Sequence, residues 1–212
     1  MKIKHVLLAA VLMGSLSATA KDYHYTTIPG DAMKTRIYTL DNGLTVYMSV
    51  NKEKPRLQAN IAVKTGSRNY PAETTGLAHY LEHLMFKGTQ KFGTIDHAKE
   101  KPYRDEITRR FESYRKLTDP AQRKQAYHEI DSVSQLAAKY NIPNEYDKLM
   151  ASIGSQGTNA YTSNDVTCYV ENIPNNEIEN WAKVQSDRFQ NMVIRGFHTE
   201  LEAVYEEKNI SM

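Results

Sequence analysis

The chain has 212 residues, with 27 Lys or Arg against 25 Asp or Glu; Lys2 and Lys4 are the only formal charges in residues 1–20, so the other 192 residues balance at 25 against 25. A neutral body removes the electrostatic case for nucleic acid or an anionic membrane surface as partner. With 40% hydrophobic and 25% charged residues the composition is that of one folded globular domain, and the single cysteine, Cys168, excludes an intramolecular disulfide and a multi-cysteine zinc knuckle.

Lys2 and Lys4, the apolar run Val6 to Met13 and the small residues ending in Ala18-Thr19-Ala20 have the organisation of a secretory signal cleaved near Ala20. The apolar run is too short to span a bilayer, and no cysteine stands at the cleavage point to carry a lipid. The expectation is a periplasmic or secreted mature protein, residues 21–212, with no membrane anchor.

Arg36–Leu40 and Leu44–Val50 flank Asp41-Asn42-Gly43, and an Asn-Gly turn between β-rich runs predicts a hairpin. Leu57–Thr65 reads as a further strand, ending at Gly66-Ser67 in a polar loop that runs through Pro71. Thr74 or Thr75 is placed to cap a helix over Gly76–Phe86, with Gly88 where helices commonly stop. Thr94–Ile153 then turns polar and helical. Ile107, Phe111 and Tyr114 precede the Asp119-Pro120 break, and Tyr127, Ile130, Val133 and Ala137 follow it, predicting an excursion of about two helices. Tyr161–Ile173 reads as a strand, and Glu177–Met192 and the stretch from His198 onward as helices. Strands leading into helices indicate an α+β architecture.

The chemistry-bearing stretch is Gly76-Leu77-Ala78-His79-Tyr80-Leu81-Glu82-His83-Leu84-Met85-Phe86-Lys87-Gly88-Thr89. On a helix His79 and His83 leave one face a turn apart and can grip one metal ion. Glu82, beside them, is placed to take a proton from a water activated at that metal. Two imidazoles and a carboxylate with an open fourth position suit Zn2+. Leu77, Leu81, Leu84 and Met85 supply an apolar face, so the histidines are not needed to fill a core. His24, His97, His128 and His198 lack such partners and read as surface or hydrogen-bonded histidines.

A third ligand has to come from elsewhere. By spacing, Glu200, Glu206 or Glu207 could serve, Glu200 and Glu207 sharing a face, and a solvated acidic helix face is an equal reading of the same run. Gly154, Gly157 and Asn159 read from the residues alone as turn formers.

Three blocks carry a resemblance that covers about Met33 to Met212: Thr75 through Thr89, Gly157-Thr158-Asn159-Ala160-Tyr161-Thr162, and Glu200 to Glu207 preceding Lys208-Asn209. They resemble the N-terminal metal-binding domain of the pitrilysin/insulinase family of zinc metallopeptidases, the inverzincins, in which His-x-x-Glu-His reverses the zincin order. The resemblance implies a mixed sheet packed against helices, as in mitochondrial processing peptidase and pitrilysin. It implies His79 and His83 as zinc ligands, Glu82 as general base, Glu207 as third ligand three residues after Val204, and Glu200 as a supporting acid at the catalytic centre. It makes Asn159, Ala160 and Tyr161 part of an edge strand to which an extended peptide adds itself.

His83 and Glu207 stand 124 positions apart, more than in many members, and the surplus coincides with the helical excursion over about 94–153. Members also have a second, similarly folded domain or subunit that supplies an arginine and a tyrosine to the oxyanion. Because the chain ends five residues after Glu207 with no helix stop signal, the expectation is an incomplete peptidase domain. The implied function is a zinc-dependent metalloendopeptidase acting on extended peptides. The alternative is a non-catalytic or weakly active metal-binding fragment, or one subunit of a two-part peptidase.

Overall fold

A computed structural model describes residues 22–71 and 75–210. The signal-like segment and Thr74 lie outside the described residues.

The chain divides into two compact units at Lys54/Pro55. In the first, β1 (Tyr25–Thr27), β2 (Arg36–Thr39) and β3 (Thr45–Met48) form an antiparallel meander in that order. The predicted hairpin is β2–β3, paired Thr39 to Thr45. Gly43 adopts φ +86° and donates its N–H to the Leu40 carbonyl, while the Leu44 N–H reaches the Asn42 side chain. A positive φ at the third loop position explains why glycine stands there. The three-residue β1 is too short to show alternation and carries no sequence signal.

The second unit holds a sheet of order β4-β6-β5, all antiparallel, from β4 (Arg56–Val63), β5 (Gln156–Thr162) and β6 (Thr167–Pro174). The single strand expected over Tyr161–Ile173 is therefore the hairpin β5–β6. It breaks at Ser163-Asn164-Asp165, where the Ser163 N–H bonds the Val166 carbonyl; short polar residues that favour turns interrupt a run whose flanks are both β-prone. Gly157 and Asn159 are not turn residues but lie inside β5. Pairing passes from Gln156↔Asn172 to Asn159↔Val170, so one extra residue is accommodated, and Gly157 at φ +69° accommodates it as a bulge. Gly154 alone keeps the turn role, at φ +76°.

Among the described residues, six α-helices accompany the sheet in this unit: α1 (Leu77–Leu84), α2 (His97–Tyr114), α3 (Pro120–Ala138), α4 (Glu145–Ser152), α5 (Ile178–Asn191) and α6 (Phe197–Ile210). The excursion holds three of them rather than two, because α4 has only eight residues, too few for periodicity to stand out. Asp96 caps α2 at the Lys99 N–H and Asp119 caps α3 at the Gln122 N–H, with Pro120 opening the helix. Thr75 does not cap α1: it sits in the preceding turn, and the N-cap is Gly76, at φ +92° with no side-chain cap.

The apolar face expected for α1 is half right. Leu84 and Met85 are buried, but Leu77 and Leu81 remain 49% and 44% exposed. The helix is held from two sides instead: Tyr80 and Leu84 cluster with Val204 of α6, and Glu82 turns to β5. A second cluster joins Phe92, Tyr146 and Met150 with Phe86, Leu149, Ile153, Trp181 and Val184. Beside it the fully buried guanidinium of Arg188 lies 4.5 Å from the Tyr146 ring centroid and 4.7 Å from that of Tyr169, so aromatic faces take the place of a counter-ion.

The long helices of the excursion meet α6 along an aromatic seam. Phe111 lies 4.0 Å from the His198 ring, and Tyr127 donates its hydroxyl to Glu202 at 3.2 Å. His198 is half-buried, and its Nε2 is buried without a hydrogen-bond partner. Burial lowers its pKa from the ordinary 6.5, against the opposite pull of Glu202 and Asp131. The unfolded chain takes up this proton near pH 6.5, the folded chain only at lower pH. Stability from neutral His198 is therefore complete above 6.5 and is lost as the pH falls from there to the folded value. Urea titrations between pH 7.5 and 5 should show a falling midpoint in the parent and a flatter profile in His198→Phe. Equal profiles would contradict a buried, neutral His198.

Candidate metal centre

On α1 the four-residue spacing brings His79 Nε2 and His83 Nε2 to 3.2 Å from each other. From α6, Glu207 Oε2 stands 3.5 Å from the first and 3.4 Å from the second. The two helices are locked together beside this triangle by the Tyr80–Leu84–Val204 cluster, by a Tyr80–Phe197 ring contact at 5.4 Å, and by a 2.5 Å hydrogen bond from the Tyr80 hydroxyl to the Phe197 carbonyl. Packing set by apolar neighbours thus fixes where the polar groups meet.

The orientation of His83 follows from its other nitrogen. Nδ1 donates to Glu200 Oε1 at 2.9 Å, which leaves the Nε2 lone pair facing Glu207 and His79. Burial of Glu200 would raise its carboxyl pKa, but hydrogen bonds from Lys87 and His83 outweigh it and hold the group below its usual range. Glu200 therefore touches a ligating ring rather than the space between the three atoms. Glu202, bonded to Tyr127, turns elsewhere.

Two imidazole lone pairs and a carboxylate converging on one point would repel without a cation between them. Their spacing also fits one: ligands about 2.0–2.1 Å from a tetrahedral zinc lie about 3.3 Å from each other, and the three separations here are 3.2, 3.4 and 3.5 Å. Among the described residues, His79, His83 and Glu207 form the group able to hold a metal ion. Glu206, the third carboxylate left open by spacing, is outside it. A cavity of about 630 Å³ lies elsewhere, between α2, α3 and residues 192–199, and none of the three lines it; with the Glu207 side chain 53% exposed, the cluster opens to solvent.

Glu82 flanks the cluster on α1, only 6% exposed, and accepts a hydrogen bond from the Thr162 hydroxyl at the end of β5. Along β5, Ala160 and Thr162 are half-buried while Asn159 and Tyr161 are exposed. The strand pairs with β6 on one side only, so among the described residues its other backbone edge is unpaired. Asn159, Ala160 and Tyr161 are therefore on an edge strand whose last residue touches Glu82.

Several contributors carried no functional reading in the sequence. Lys87, which ion-pairs with Glu200, stands four residues after His83, a helical spacing that could have suggested it. Thr162 belongs to the edge-strand block, but nothing local relates it to a glutamate eighty positions earlier. The buried pair Arg195–Glu100 had no signal at all. Its nitrogens meet the carboxylate at 2.7 and 3.0 Å, and the same guanidinium collects the Thr89 carbonyl at 2.7 Å and that of Lys87 at 3.2 Å. This ties α2, the turn after α1 and the approach to α6 to one another.

Residues 45–101, which include both histidines and Glu82, match the family described as Insulinase (Peptidase family M16). The similarity to that family is carried by this stretch. The β subunit of the mitochondrial-processing peptidase of Neurospora crassa is 44% identical over 62 residues, 29% of this chain and 13% of that protein. An insulin-degrading enzyme homolog of Dictyostelium discoideum is 39% identical over 64 residues, 30% of this chain and 7% of that protein. A likeness of fold extends beyond the matched segment. A protease from Helicobacter pylori superposes with a TM-score of 0.56 over 84% of this chain and 31% of its own, at 22% identity. The architecture is α+β, helices with antiparallel sheets, as expected.

Proposed function

We propose that this chain is an insulinase-family domain and carries the zinc site of a metalloendopeptidase that hydrolyses extended peptides. The observation that carries the proposal is the triangle of His79, His83 and Glu207, at tetrahedral ligand spacing beside the buried carboxylate of Glu82. Zinc, when bound, makes water acidic near neutral pH and polarises a carbonyl. The chain's own residues do the rest. Glu200 fixes the His83 tautomer, and Glu82 takes the proton of the attacking water and passes it to the leaving amine. The free edge of β5 at Asn159, Ala160 and Tyr161 offers main-chain pairing, which holds a peptide with little demand on its sequence.

A partner is part of the reading. The chain spans 13% of a relative named as the β subunit of a processing peptidase, and a bovine relative is named as an α subunit. A second peptidase-like domain or subunit would complete the site with the charge stabilisation that such catalysis needs. The basic, apolar and small-residue order of residues 1–20 supports export to the periplasm or beyond. The alternative, a metal-binding subunit without activity, gives no use to a buried Glu82 next to the ligands.

Metal analysis tests the site. The purified protein should hold about one zinc per chain, and His79→Ala and Glu207→Gln should each lose it, since removing one of three ligands leaves a site closed by two. Undiminished zinc in both variants would overturn the assignment.

A further inference from the structure

Thr162 is the described side chain whose hydroxyl meets the Glu82 carboxylate, and it does so from the strand that offers its edge to a peptide. The Thr162 hydroxyl donates and Glu82 Oε2 accepts. The neighbouring hydroxyl of Thr167, 3.2 Å away, directs its own proton to the Thr65 carbonyl at 3.1 Å and so does not compete for that oxygen. Thr167 is 3% exposed. The Thr162 side chain is therefore backed by a fixed group rather than by solvent.

We propose that Thr162 is the positioning residue for Glu82: its hydroxyl holds Oε2, presents Oε1 to the water, and makes the carboxylate's aim depend on the register of the β5 edge. The proposal rests on the peptidase reading for its consequence but not for its contact. A peptide pairing along Asn159–Tyr161 would stiffen β5 one residue from Thr162, so backbone pairing and base alignment would rise together. A peptide that cannot pair would meet a less ordered Glu82. Selectivity for extended segments would then appear in turnover and not only in binding.

Two measurements on the full chain test this. The first is a double-mutant cycle read by urea denaturation, with Thr162→Val, Glu82→Met and the pair. Stranding a buried carboxylate without its donor should lower the folding constant about tenfold or more in the parent background. In Glu82→Met, where no acceptor remains, the same Thr162→Val change should cost less than about threefold. Equal losses in both backgrounds would overturn the contact.

The second is kinetic. Thr162→Val should keep its zinc and KM while kcat falls about ten- to a hundredfold, and Thr162→Ser, which restores the hydroxyl, should stay within about threefold of the parent. A fall in KM-related binding alone, or failure of Ser to rescue, would overturn the positioning role. If the zinc-loaded parent cleaves no peptide with any partner half, the peptidase reading fails, and the stability cycle still decides whether Thr162 holds Glu82.

Discussion

Glu82→Gln is expected to retain zinc and to lose hydrolysis by about 100- to 10,000-fold, the usual reach of a general base. The amide has the shape of the carboxylate and still accepts a hydrogen bond from Thr162, so the buried pocket between α1 and β5 is preserved. What it lacks is the capacity to take the water's proton. Zinc stoichiometry and cleavage of an unstructured peptide, measured on one preparation, separate this from the ligand variants, which should lose both. A variant that cleaves as fast as the parent would remove Glu82 from the mechanism.

The largest expected stability effect lies away from the metal. Glu100→Ala strands the Arg195 guanidinium, 4% exposed, with only backbone carbonyls for company. Removing one member of a buried charged pair costs about 3–5 kcal/mol, a large share of the roughly 5–15 kcal/mol that holds a domain folded. The urea midpoint should drop accordingly. Replacing both residues by Leu and Met should cost far less than the two single losses added, because the buried guanidinium is then gone together with its acid; Arg104, 3.5 Å from Glu100, loses that partner in Glu100→Ala and in the double variant alike and cancels from the comparison. Additive losses would show that the pair is not the reason for the effect. Because Arg195 also gathers the Lys87 carbonyl, the turn that follows the histidine helix depends on an acid contributed by the excursion.

What the sequence made legible follows the range of each interaction. The histidine pair, Glu82 and the Asn-Gly hairpin are local patterns in which spacing alone determines geometry, and each is found where it was read. Glu207 could not be separated from Glu200 and Glu206 by spacing, because all three lie on one helix whose rotation is set by Val204 packing against Tyr80 and Leu84. The α1 face was misjudged for a related reason. A helix clasped between a sheet and another helix buries Glu82 and leaves Leu81 in solvent, contrary to hydropathy. The β5–β6 hairpin was read as one strand because its turn is built from small polar residues within an otherwise continuous β-prone run. Contacts such as Thr162–Glu82 and Arg195–Glu100 join residues 80 and 95 positions apart, and no local pattern encodes them.

The Gly157 bulge has a bearing on colloidal behaviour. A sheet margin that welcomes any extended backbone is equally a template for another copy of the same chain, the starting point of edge-to-edge aggregation. The bulge bends the strand at its beginning and confines regular pairing to Asn159–Thr162, about 13 Å of template at roughly 3.3 Å per residue. That length suffices to grip a few residues of a peptide for the time of one reaction. It is shorter than the segments of about six or seven residues that typically build cross-β zippers, so one left-handed glycine shortens the template that this margin offers to another copy.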